Sequence, residues 1–314
     1  MGDPTHFSVV GGANPHTRTR WGTRRRVDRE LAIRQWHRFK AVLEEHGVRV
    51  LVVAPDPRQP GLVYPANAGF LTDVDAPRPH GEKTFFLSNL LPSRAGETPH
   101  YRRVLHAAGF RLGELDPRFR FEGEADFFPA GGAYLFTCGQ LERQRFVPRW
   151  GIPPWRRVYG FRSDARLEPR LAEIVAPRPV HRFELVLEAH SHGDTALCAF
   201  GPRREHLLAY RRALAPGGWE RLASLFGDAV IELSEADAAR YAANAFRLDA
   251  GSESLLFLPA GVSERLLDQV RERGVTPICV DVSEFLAKGG GSIKCMIGDL
   301  GPVRGETVAR AGTA

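Results

Sequence analysis

Long apolar runs are missing from this sequence. None approaches the roughly 18 consecutive apolar residues that a membrane-spanning helix needs, so no membrane partner is expected. The first ten residues, MGDPTHFSVV, hold no basic segment leading into an apolar one, and so do not read as a secretory signal. Cysteine is scarce. There are four, Cys138, Cys198, Cys279 and Cys295, and no two form a CxxC pair. That spacing excludes a disulfide scaffold and fits no zinc site, so four free thiols in a reducing, cytoplasmic compartment are expected, with no metal. The chain also lacks the Gly-Lys-Ser/Thr ending of a phosphate-binding loop, although it has a run of three glycines at 289–291.

What is present is ample apolar material and an excess of arginine. Of 314 residues, 43% are hydrophobic, enough to bury a large core. The formal charge is +6, and the basic residues concentrate early, in Arg18, Arg20, Arg24, Arg25, Arg26 and Arg29. A basic run of this kind meets nucleic acid in some proteins. Here no helix-turn-helix, zinc finger or RNP-like aromatic motif accompanies it, and it reads as a solvated face.

Short apolar runs alternate with amphipathic stretches along the whole chain. Ala32, Trp36, Phe39 and Leu43 recur at helical spacing, so 28–46 reads as a helix that Gly47 stops. Residues 49–53, 84–87, 134–137, 229–233, 255–258 and 276–281 read as strands, and 292–297 as a final short one. Helices are expected over 164–174, 203–226, 234–241 with Ser234 as N-cap, and 262–273. No long linker divides the pattern, which predicts one α/β domain over 1–314. Residues 140–156, with three prolines, two tryptophans and four arginines, read as a long ordered loop. The last dozen residues lack periodicity and are expected to fray.

Five segments carry residue types suited to chemistry. Cys295 ends Lys288-Gly-Gly-Gly-Ser-Ile-Lys-Cys295, where glycines let backbone approach a ligand and Lys294 stands ready to stabilise a thiolate. Read alone, such a cysteine is as well explained as a small buried hydrophobe. His190, His192 and Asp194 would share one face of an extended segment, whether as a metal site or as a polar strand edge. Phe121-Glu-Gly-Glu-Ala-Asp126 brings three carboxylates among aromatics, able to orient a histidine or simply to form an acidic turn. Asn14-Pro15 and Ala66-Asn67-Ala-Gly69 each read alone as turn chemistry.

In this order the segments resemble the guanidino-group-modifying enzymes: arginine deiminase, dimethylargininase, glycine amidinotransferase and arginine dihydrolase. The matching positions are Asn14-Pro15, Asn67, Pro92-Ser-Arg94-Ala-Gly-Glu97, Glu122 with Asp126, Tyr159-Gly-Phe-Arg-Ser-Asp164, His192 with Asp194, Ala243-Asn244-Ala, Asp281-Val-Ser-Glu-Phe and Cys295. They run from about residue 6 to about residue 298. The resemblance implies a pentein fold, about five ββαβ-like units around a pseudo-fivefold axis. It implies Cys295 as nucleophile, His192 as acid/base and Glu122 as its carboxylate partner, with Asp194, Asn67, Asn14, Arg94 and Asn244 binding substrate. It implies a small guanidino substrate and no cofactor, and leaves a homo-oligomer open.

Three departures bear on the substrate. Arginine deiminases carry an aspartate where Asn67 stands, and arginine dihydrolases resemble this chain there. Gly193 replaces a bulky residue, and 140–156 is an insertion. The resulting expectation is cysteine-dependent hydrolysis of arginine or a close relative. The alternatives are an amidinotransferase using an amine acceptor, and a non-catalytic pentein that binds a partner.

Overall fold

The structure, a computed structural model, describes residues 1–10, 14–250 and 253–303. The expected fraying of the last dozen residues falls almost wholly outside them.

Helix α1, Arg29–Glu45, opens on Asp28, whose carboxylate accepts the Leu31 N–H at 3.0 Å. Ala32, Trp36, Phe39 and Leu43 face the core. The helix gives way at Gly47, whose φ of 81° suits a residue without a side chain.

After α1 one motif repeats four times: two antiparallel strands, a helix, and a third strand parallel to the second. The first copy is β1 (Gly69–Leu71), β2 (Thr84–Leu87), α2 (Thr98–Ala107) and β3 (Arg111–Gly113). The second is β4 (Phe127–Ala130) and β5 (Ala133–Cys138), then a hairpin of β6 (Arg145–Pro148) and β7 (Trp155–Val158), then α3 (Glu168–Val175) and β8 (Val180–Glu184). The third is β9 (Leu197–Phe200), β10 (His206–Ala209), α4 (Gly218–Phe226) and β11 (Val230–Glu232). Helix α5 (Glu235–Ala239), capped by Ser234, leads to the fourth: β12 (Phe246–Ala250), β13 (Glu253–Pro259), α6 (Glu264–Arg271) and β14 (Thr276–Val280). Helix α7 (Ser283–Gly289) precedes the glycine run. Around α1 the motif survives in reduced form: Gly2 and Val53 make a single parallel bridge, and the Met1 ammonium donates to Leu51 O at 2.8 Å.

A strand buried on both faces reads as a continuous apolar run, and the middle strands β5, β10 and β13 are buried along nearly their whole length. All six residues of β5 are buried. This also explains where periodicity misleads. Residues 203–226 are not one helix, because Leu207, Leu208 and Ala209 are the buried middle strand of the third sheet. Residues 49–53 keep only the Val53 bridge. The stretch 140–156 is largely the β6–β7 hairpin rather than a loop. Residues 292–297 form a turn, not a strand, since the Asn244 side-chain oxygen takes the Ser292 and Cys295 N–H groups, at 3.0 and 3.1 Å, that a ladder would need.

Gly123 shows how tightly neighbouring copies pack. Its φ is 68°, and a Cβ there would lie 2.6 Å from Gly69 O and 2.8 Å from Ala66 O. Both obstacles are backbone and cannot rotate away. Gly123→Ala should cost roughly 3 kcal/mol or more. Gly131→Ala, with φ of 56° and open space around the new Cβ, should cost only about 1 kcal/mol. Urea unfolding of the two variants checks the difference; equal losses would mean that the contact at Gly123 is soft.

Candidate active site

Each copy of the motif is entered by a tight turn, and these turns meet. Pro65–Ala68 precedes β1, Gly123–Ala125 precedes β4, Gly193–Thr195 precedes β9, and Tyr241–Asn244 precedes β12; Lys294–Met296 follows the glycine run. Residues remote in sequence are thereby drawn together: Asn67, Glu122, His192, Asp194, Asn244 and Cys295 form one buried cluster.

His192 Nε2 lies 2.7 Å from Glu122 Oε2, and Asn67 Nδ2 stands 3.3 Å from the same nitrogen. Cys295 Sγ lies 3.4 Å from Asp194 Oδ2 and receives the Asn244 amide at 3.2 Å. Glu122, Asp194 and Cys295 are each less than 5% exposed. The second glutamate of the acidic segment, Glu124, turns away. It lies 2.7 Å from Lys294 Nζ and accepts the Asp299 N–H at 2.8 Å.

Two carboxylate oxygens in the cluster, Glu122 Oε1 and Asp194 Oδ1, are buried without a hydrogen-bond partner. Such groups are costly unless something completes them. A donor-rich cation between the two residues would do so.

The remaining polar residues singled out in the sequence spend their groups on protein. Arg94 makes a two-pronged contact with Glu97, both distances 2.8 Å, and donates to Asn67 Oδ1 at 2.8 Å. The Asn244 side chain ties the last turn through three hydrogen bonds and donates a fourth to Asp194 O. Asn14 donates to Gly289 O at 2.8 Å and accepts from His16 N–H, so it braces the glycine run. His190 does not share a face with His192: its Nδ1 meets Thr195 O at 2.9 Å, and its ring packs on Tyr210 and Tyr241. Two short 3₁₀ turns replace the extended segment that would have aligned them.

Sequence reading gave Asp126 no role of its own. The structure shows it accepting from Ser163 Oγ at 2.7 Å, Thr137 Oγ1 at 2.8 Å and Gly193 N–H at 2.9 Å. It thereby fixes the turn that presents His192 and Asp194. Three polar partners on three segments leave no local sequence signal.

Burial and charge set the ionisation of the cluster. Burial alone would raise Glu122, but the His192 hydrogen bond and charge, with Arg162 and Arg94, pull it down to about 2. Burial also opposes the charged form of His192, yet the Glu122 bond and the charges of Asp126, Glu122 and Asp194 leave it raised. Burial lifts Asp194 to about 6. Cys295 is pushed well above the usual thiol range by burial and by the Asp194 charge. Lys294 does not hold a thiolate as the sequence led us to expect; its charge meets Glu124.

The repeated ββαβ motif and a Cys–His–Glu cluster entered by its turns define a pentein with a thiol where those turns meet. Comparison with known proteins agrees. A model of the eukaryotic N,N dimethylarginine dimethylhydrolase family matches residues 220–301. N(G),N(G)-dimethylarginine dimethylaminohydrolase of Mycobacterium tuberculosis is 29% identical over 304 residues, covering 96% of this chain and 85% of that protein. The bifunctional arginine dihydrolase/ornithine cyclodeaminase AgrE of Nostoc sp. is 28% identical over 316 residues, which is 98% of this chain and 38% of the relative. The crystal structure of an AgrE mutant with L-arginine superposes with a TM-score of 0.78 at 25% identity, covering 98% of this chain and 40% of that one. In fold and in the residues of the site the chain is thus similar to the pentein guanidino-group-modifying enzymes, arginine dihydrolase-like members among them. Among the described residues no helix is long and apolar enough to cross a membrane.

Proposed function

We propose that the protein hydrolyses the guanidino group of arginine or a close relative through a covalent thiouronium intermediate on Cys295. The observation that carries this reading is the unpaired Asp194 Oδ1 beside the Cys295 thiol, with the His192–Glu122 pair in the same cluster. A planar guanidinium set against Asp194 fills that acceptor with charge-assisted hydrogen bonds. Its positive charge offsets the two influences that hold the thiol protonated, burial and the Asp194 charge.

The thiol gives its proton to solvent, the thiolate attacks the guanidinium carbon, and a C–S bond forms. His192 gives its proton to the departing nitrogen as the C–N bond breaks. A water molecule loses a proton to the now neutral His192 and attacks the same carbon. The C–S bond breaks, releasing the ureido product and returning the thiol. Glu122 keeps His192 oriented and basic throughout. A nucleophilic thiol needs reducing surroundings, which fits a cytoplasmic enzyme.

The relatives divide over substrate, one named for dimethylarginine and one for arginine. Asn67 supports arginine carried on to ornithine. A neutral amide at this edge lets a ureido intermediate re-enter, where a second carboxylate would favour only the cation. Incubation with arginine should release ammonia and ornithine. Dimethylamine from dimethylarginine alone would move the assignment to the methylated substrate, and product formation only with glycine or lysine as acceptor would make the enzyme an amidinotransferase. Asn67→Asp should shift the products from ornithine toward citrulline, with arginine consumption changing less than the ratio. Mass spectrometry of the products reads this directly, and a wild type that stops at citrulline removes the role given to Asn67.

A further inference from the structure

Glu124 and Lys294 lie beneath the proposed site and take no part in the chemistry described above. They are 2.7 Å apart, each with a side chain no more than 12% exposed. Lys294 immediately precedes the nucleophile, and its N–H donates to Asn244 O at 3.1 Å, within the same turn that Asn244 holds against Cys295. Glu124 sits two residues from both Glu122 and Asp126. From it a line of contacts leads away from the cluster: the Asp299 N–H on Glu124 at 2.8 Å, Arg204 on Asp299 at 3.2 Å, and Arg204 and Arg247 on Asp75 at 2.9 and 2.6 Å. Arg204 and Arg247 are thus bound to other acids.

A lysine next to the nucleophile is a liability for an enzyme that binds a cation. In a buried setting a single charge several ångströms away acts strongly, because little water screens it. The Lys294 charge is felt at Asp194. Uncompensated, it would compete with a guanidinium for Asp194 and favour neutral ligands at Cys295.

We propose that Glu124 and Lys294 are a positioning and specificity pair: Glu124 cancels the Lys294 charge, and this cancellation makes the Cys295–Asp194 edge select cationic amidine groups over neutral ones of the same shape. The pair rests on the proposed function for its biological meaning. Its electrostatic effect is measurable without turnover.

Two small electrophiles of the same shape read it. Chloroacetamidine is a cation and chloroacetamide is neutral. Each alkylates a thiolate by forming an S–CH2 bond as chloride leaves, the thiol proton passing to solvent. Rates at Cys295 are followed by mass spectrometry of the peptide that contains it, at about pH 8, where Glu124, pushed up to about 7 by burial, is ionised.

Wild type should react faster with the cation. Glu124→Gln, which keeps an oxygen for the Asp299 N–H, should lower the cation-to-neutral rate ratio about tenfold, the scale of one unbalanced charge at this range. Glu124→Gln/Lys294→Met should restore the ratio, and Lys294→Met alone should raise it. In turnover, Glu124→Gln should raise KM for arginine far more than it lowers kcat, and should spare citrulline. A ratio unchanged in every variant, or equal slowing of both reagents, overturns the pair and leaves it a structural contact. If Glu124→Gln fails to fold, Lys294→Met alone still decides, since an unchanged ratio there also overturns the pair. Should wild type turn over no guanidino compound, the proposed function falls while the labelling ratio still judges the pair.

Discussion

Cys295→Ser should fold as the wild type does and lose turnover by about 10⁴-fold or more. The two residues differ little in size, and a serine hydroxyl still receives the Asn244 amide that now points at the sulfur from 3.2 Å. The midpoint of thermal unfolding should therefore move by no more than roughly 2 °C. Chemistry is affected differently. The thiol is already held protonated by burial and by Asp194, and only a cation against Asp194 brings it within reach of ionisation. A hydroxyl begins several pKa units higher and stays un-ionised even then. A folded Cys295→Ser protein with substantial activity would sink the covalent mechanism. Cys138 and Cys198, buried thiols raised to about 12 by burial, should be replaceable by alanine at a cost in stability alone.

Glu122→Gln should lower kcat about 10²- to 10⁴-fold, the usual contribution of a positioned acid/base. Glutamine fills the same space and still accepts a hydrogen bond. It weakens the hydrogen bond and removes one of the charges that together outweigh burial at His192, so the His192 pKa falls. The imidazolium that protonates the leaving nitrogen is then scarce near neutral pH, and the limb of the pH–rate profile set by loss of that proton should move to lower pH. Stability gives an independent reading. Glu122 is depressed from 4.5 to about 2, so its contribution is present above the unfolded value of 4.5 and is lost as pH falls toward 2. His192 is raised above 6.5, so its contribution is complete below 6.5 and is lost as pH rises through the folded value. Both hold between about pH 4.5 and 6.5. Glu122→Gln should cost the most stability in that window, roughly 3 kcal/mol, as for one partner removed from a buried pair. Urea unfolding at about pH 5.5 and 8.5 tests it. An equal loss at both would mean that the pair is not charged in the folded protein.

Much of the candidate site is legible along the chain because each segment announces its own local need. Glycines at 289–291 mark a close backbone approach. The capping residue Ser234 marks a helix start where the structure has it. The apolar periods of α1 and α6 survive into the fold because a helix with one buried face carries that face in its spacing. The runs over 203–226 and 292–297 misled for the opposite reason. The strand residues Leu207, Leu208 and Ala209 and the turn residues Ile293, Cys295 and Met296 are both sets of closely spaced buried apolar residues, and what separates them is the hydrogen-bond partner, which lies elsewhere in the chain.

The sequence by itself determined the alternation of strands and helices, the scattered cysteines, and the order of the asparagine, acid, histidine and cysteine segments. Tertiary structure alone decided which members of those segments face one another. Glu122 and Glu124 are two residues apart and chemically alike. Gly123, at φ of 68°, turns the backbone between them, sending one carboxylate to His192 and the other to Lys294. It likewise turned Arg94, Asn244 and Asn14 onto protein partners and left one oxygen of Asp194 open. Such choices depend on distances between segments 27 to 275 residues apart in the chain. No local propensity encodes them; they exist only once the turns have been packed together.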